Sequence, residues 1–281
     1  MPGYPPLRLV LGVTGLAFLL TQFLVYPLFA ELNSHLGLMA AELVAVAIAL
    51  FATRRRGWLT EDLLLLNATP ARGLLAAPLA AAGFAIVVSD LDRRFAHWLA
   101  SFDLGPPGGM LHFVLELQLI ESPWAAVPVL VSVVALPAIC EEAFFRGFAL
   151  TSLRFHCDTI VAVVVSALLF ATVHVNPWQF PALFLIGVFL AVVVMWTHSV
   201  YPAVLAHAAN NLLSVVAVNV RAHTGVDWLG AMNPVPLVVW ICGAVALVVG
   251  LLWLRTTVPV MPLLSPYALR DVSARSSWWT P

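Results

Sequence analysis

The chain has 281 residues, 62% of them apolar and only 10% charged, with a formal net charge of −1. An average soluble domain carries roughly 25% charged residues, so a soluble fold of this length could not solvate its surface. The near-neutral balance also argues against nucleic acid as a partner and leaves the lipid bilayer as the expected surroundings.

Several apolar runs reach the roughly 20 residues that a helix needs to cross a bilayer. They predict an all-α fold, a polytopic transmembrane helix bundle of about eight spans. In chain order these are approximately 9–30, 36–53, 73–90, 124–154, 159–176, 180–197, 202–220 and 235–254. The first run has too long an apolar core and too few basic residues ahead of it for a cleaved signal peptide, so it reads as a span. Between the second and third spans, residues 57–72 hold Glu61, Asp62 and a leucine run, and read as a short interfacial helix. Residues 90–123 are the longest connection, broken by Gly105-Pro106-Pro107-Gly108-Gly109 and carrying Trp98 at the expected interface. Glu116 and Glu121 lie in it and are expected to be solvated. The tail 256–281 carries several prolines and two terminal tryptophans, and is expected to be extended and membrane-adjacent. No internal repeat or second domain is visible, so 1–281 reads as one domain with a core at about 124–220.

All thirteen basic residues are arginine. With the N-terminus in the cytoplasm, Arg8, Arg54, Arg55, Arg56, Arg72, Arg154, Arg255, Arg270 and Arg275 fall inside, and only Arg93, Arg94 and Arg221 outside. This bias sets the expected orientation in a bacterial inner membrane. Cys140, Cys157 and Cys242 have neither paired nor metal-type spacing. Cys140 and Cys242 sit within apolar runs and read as small hydrophobes.

Ionisable groups inside a bilayer are costly and mark either function or tight pairing. Here they concentrate in the fourth to seventh spans. Glu141 and Glu142 are adjacent, so on a helix they point about 100° apart and face different neighbours. Glu142 and Arg146 stand at i and i+4 with the acid first, the better orientation for an ion pair. That pairing buries two charges together and leaves Glu141 free for general-base chemistry. Phe170 and His174 close the next span, and His207 and Asn211 share one helical face of the seventh. Glu141 lies 14 residues before Phe155 and His174 lies 15 after Thr159. Both are therefore about 21–23 Å along antiparallel helices and can meet. His207 fits less well, being only a few residues into its span, so either the preceding turn dips into the membrane or the span begins earlier. Each group also has a structural reading: intramembrane His and Asn often only join helices. Glu42, in the second span, either lines a cavity or makes a hydrogen bond between helices.

Read in order, Glu141-Glu142 with Arg146, Phe170 with His174, and His207 with Asn211 resemble the EExxxR, FxxxH and HxxxN motifs of the CPBP family of intramembrane endopeptidases. This family includes type II CAAX prenyl endopeptidases, bacteriocin-processing enzymes and myxosortase-like members. The resemblance covers about residues 140–215. It implies a helical membrane protease with its site in a cavity of the bundle. Glu141 would activate water, His174 would hold that water, and His207 and Asn211 would donate to the oxyanion. Glu142 and Arg146 would brace the helix and orient Glu141. Family members have been described both as metalloproteases and as metal-independent glutamate proteases. No cofactor is required on the second description. On the first, Glu141, His174 and His207 would hold zinc with an open water position.

The implied substrate is a membrane-tethered protein or peptide, through processing of a leader peptide or removal of a C-terminal sorting tail. Two other classes are compatible with buried Glu and His: a catalytically silent immunity or scaffold protein of the same family, and a proton-coupled transporter. The intact motif set disfavours the former. The absence of a visible repeat disfavours the latter.

Overall fold

The computed structural model describes residues 4–58, 60–229 and 233–257. The tail expected to be extended and membrane-adjacent lies outside the described residues from 258 onward. Every regular element among the described residues is helical. Seven helices are long and apolar enough to span a membrane: α1 (Leu7–Ala30), α2 (Ser34–Arg55), α4 (Ala71–Ala100), α6 (Ala126–Leu153), α8 (Phe180–Thr197), α9 (Val200–Thr224) and α10 (Leu237–Arg255). The eighth expected span is α7 (Thr159–Val173), an apolar helix of 15 residues. Two short helices complete the set, α3 (Thr60–Leu64) and α5 (Gly108–Gln118).

Local chemistry explains most of the boundaries. The Asn33 side chain caps α2 by accepting from the His35 and Leu36 amides at 2.9 and 3.3 Å. Ser199 Oγ caps α9 by accepting from Tyr201 N at 3.4 Å. Gly225, at φ 74°, ends α9 in the left-handed conformation open to glycine. Pro70, Pro107 and Pro236 immediately precede α4, α5 and α10, where their missing N–H costs nothing.

The structure corrects two sequence-based expectations. The third span continues from the expected Asp90 to Ala100, because Asp90 pairs with Arg93 at 2.8 Å and Arg94 at 2.6 Å within the helix and so carries the helical register past the apolar run. The long connection is then not wholly a loop, since it holds α5. The segment expected to be a short interfacial helix holds α3, which keeps Glu61 and Asp62 exposed and turns Leu63 inward at 1% exposure, with Leu64 packed on Gly147.

The largest apolar cluster joins α1, α4, α6, α7, α8 and α9, with Phe144, Phe145, Phe148 and Phe170 among its members. Helix α6 is the inner element, its residues from Phe144 to Leu153 all buried. Helices α4 and α10 approach backbone to backbone, for a Cβ on Gly83 would overlap Leu247 and Gly243.

Candidate active site in the helix bundle

Helix α6 is not a regular α-helix. It widens to π geometry at Leu130–Ala135 and again at Glu142–Leu150. Such wide turns are frequent at functional sites, and nothing in the periodicity of the apolar residues reveals them. The α-helical i,i+4 reading of Glu142 and Arg146 nevertheless holds as a contact. Arg146 Nη1 donates to Glu142 Oε1 at 2.7 Å, with both side chains essentially inaccessible. Arg146 Nη2 donates to the Gly187 carbonyl at 3.1 Å, and the guanidinium lies 4.4 Å over the Phe170 ring.

Glu142 has a second partner on another helix: His207 Nδ1 donates to Glu142 Oε1 at 2.9 Å. The carboxylate thus links α6 to α9 through His207, a contact that spacing along one helix did not disclose. This also resolves the depth of His207. Helix α9 starts at Val200, with its Ser199 cap, so His207 is two turns inside it and level with Glu142. Phe170 is the hub of the site, with its ring centroid 4.7 Å from that of His174 and 5.8 Å from that of His207.

His174 stands just beyond the last residue of α7, which ends sooner than the expected 176 because Val175 takes a left-handed φ of 50°. His174 Nδ1 donates to the Phe170 carbonyl at 2.7 Å, which turns its Nε2 towards Glu141 Oε2 at 3.7 Å. That distance is too long for a direct hydrogen bond. Glu141 Oε2 is buried and receives no protein N–H or hydroxyl donor among the described residues.

Glu42 resolves in favour of a cavity position. It reaches from α2 to stand beside the Glu141 side chain on the cavity wall. Asn211 donates from Nδ2 to the Val133 carbonyl at 3.1 Å, so one of its two amide hydrogens is already committed to the backbone of α6. Glu42, Cys140, Glu141, Phe170, His174, His207 and Asn211 all line one cavity of about 530 Å³. Cys140, expected to be inert, is thus buried at the cavity wall beside Glu141. Glu116 is exposed, as expected, with His112 at 3.1 Å from it.

Sequence reasoning passed over Pro137, which also lines the cavity. A proline within an apolar span withdraws one helical donor, and that signal was open to view. The donor types of Glu141, His174 and His207 suit zinc. However, no three His, Cys, Asp or Glu side chains converge as a metal-holding group among the described residues, so no step below is routed through a metal.

A helical membrane bundle with a carboxylate, two imidazoles and an amide around an interior cavity defines a polytopic integral membrane protein with a polar intramembrane site. Residues 123–213, about a third of the chain, match the profile of the Rce1-like family, the type II CAAX prenyl endopeptidases. That segment holds all three motifs, and the match supports the resemblance to the CPBP membrane endopeptidases over this part of the chain. No curated protein and no solved structure matched the chain.

Proposed function

We propose that the chain hydrolyses a peptide bond in a membrane-tethered protein or peptide, with Glu141 as general base. The observation that carries this reading is the approach of Glu141 Oε2 to His174 Nε2 at 3.7 Å on a cavity wall. Because His174 Nδ1 donates to a carbonyl, its neutral form offers a lone pair at Nε2. A water between two acceptors donates one hydrogen to each and turns its own lone pairs towards a substrate carbonyl. Glu141 takes the water proton as the oxygen bonds to the carbonyl carbon. The C–N bond then breaks, and Glu141 returns the proton to the leaving nitrogen.

The oxyanion needs donors. His207 is anchored by its Nδ1 contact to Glu142, which leaves its Nε2 edge to face the developing charge. Asn211 supplies the amide hydrogen not used by Val133. Arg146 balances the Glu142 charge, so the pair stays buried while His207 is held. The arginine distribution supports a cytoplasmic N-terminus in a bacterial inner membrane, and leader peptides or C-terminal sorting tails are the expected substrates.

The test compares terminal peptides of membrane and secreted proteins from cells carrying wild type or Glu141→Ala. A small set of proteins with uncleaved termini in the variant supports the assignment and names the substrates. Unchanged termini with normal accumulation of the variant would remove it.

A further inference from the structure

We propose that Pro137 is a positioning residue and that Asn211 acts through it, by supplying the backbone donor that Pro137 withdraws from the helix carrying Glu141. The inference rests on the protease reading only for its catalytic consequence. The structural link stands on geometry.

Along α6 the wide turn ends where the Leu136 N–H reaches back five residues to the Val131 carbonyl. The next residue is Pro137, which has no N–H to offer. In an α-helix, residue 137 would be the donor to the Val133 carbonyl, four residues back. Inside a spanning helix that carbonyl needs a replacement donor, from the cavity or from a neighbouring helix. Asn211 Nδ2 does so at 3.1 Å, from the facing helix α9. The amide sits within an apolar contact between the two helices, in which Val129 and Val134 of α6 pack with Ala208 and Val215 of α9. Its Oδ1 accepts from Asn210 Nδ2 at 3.2 Å, which fixes the orientation of the amide plane.

Glu141 follows one helical turn after Pro137, and His207 precedes Asn211 by one turn on α9. The Asn211–Val133 bond therefore clamps the two helices one turn from His207 on α9 and about two turns before Glu141 on α6. Pro137 makes the clamp necessary, and Asn211 makes it. On this account Asn211 is needed for the position of Glu141 against His207, in addition to its second amide hydrogen facing the cavity.

A double-mutant cycle on the purified full chain in detergent tests this. Pro137→Ala returns an N–H to the turn and lets α6 satisfy Val133 from within. Asn211→Ala alone is expected to lower the melting temperature by at least ~3 °C. In the Pro137→Ala background the same change is expected to lower it by less than ~1 °C, because the carbonyl no longer depends on Asn211. With a lipid-anchored peptide bearing a cleavage sequence from the terminal comparison, Asn211→Ala is expected to lower kcat at unchanged KM. Pro137→Ala/Asn211→Ala is then expected to be at least ~10-fold more active than Asn211→Ala, a rescue that an oxyanion role alone does not permit.

Simply additive melting losses would overturn the proposal, as would an Asn211→Ala variant that melts with wild type. If Pro137→Ala does not accumulate, Asn211→Asp at pH 8 replaces it. That side chain keeps its shape and loses the donor, so an unchanged melting temperature overturns the clamp. Thermal coupling in a chain that cleaves nothing upholds the clamp and removes the protease reading, so the two failures are distinct.

Discussion

Glu142 Oε1 accepts from Arg146 at 2.7 Å on its own helix and from His207 at 2.9 Å on the facing one, and so one carboxylate oxygen ties the first motif to the third. The arrangement makes Arg146 a counter-charge for a group that also holds a site residue. Removing it leaves Glu142 buried and unneutralised.

Arg146→Met is therefore expected to destabilise the chain by about 3–5 kcal/mol, the range for breaking a buried pair on one side. Glu142→Gln/Arg146→Met is expected to cost less than Arg146→Met, since no charge is left behind. Chemical denaturation in detergent measures both. Equal losses would show that the Arg146 contacts to Gly187 and Phe170 matter more than charge balance.

Glu42 separates two kinds of carboxyl contact. Glu42→Gln keeps a polar side chain beside Glu141, whereas Glu42→Ala removes it. The amide variant is expected to retain activity near wild type and the alanine variant to lose about 10-fold, close to one hydrogen bond. Relative kcat of the two variants decides this, and indistinguishable activities would assign Glu42 to packing alone.

Because Glu141, His174 and His207 do not converge on one point, hydrolysis is expected to survive exhaustive chelation. Elemental analysis of the active preparation accompanies the assay. Zinc at one per chain, lost together with activity in His174→Ala, would require the side chains to rearrange around the ion.

His198 lies in the turn between α8 and α9 at φ 52°, and burial followed by the charge of Arg154 holds its pKa below the ordinary 6.5. The unfolded chain then binds this proton more readily than the folded one. Its neutral form is favoured above pH 6.5, and stability is lost as pH falls below that value. His198→Asn, which tolerates the left-handed backbone, is expected to flatten the melting temperature between about pH 6.5 and 5. A slope unchanged from wild type would assign the acid sensitivity to other groups.

The membrane class, the span order and the three motif positions were legible because each rests on composition or on spacing within one helix. An apolar run of sufficient length has few alternatives in a bilayer. The Glu142–Arg146 contact was legible for the same reason, since i and i+4 remain neighbours even where α6 widens. The extension of α4 to Ala100 is not legible in hydropathy, because that turn is held by Asp90 with Arg93 and Arg94. The inward turn of Leu63 and the packing of Leu64 on Gly147 were not legible, because Gly147 lies more than 80 residues away.

By itself the sequence determined which helices exist and which polar residues they carry, since hydropathy and helical periodicity are properties of one segment. Which polar residues touch was decided only by the tertiary structure. The assignment of Glu142 to His207, of Glu42 to Glu141 and of Asn211 to the Val133 carbonyl depends on how α2, α6 and α9 rotate about their axes. That rotation is set by packing between helices, and no spacing along a single chain segment encodes it.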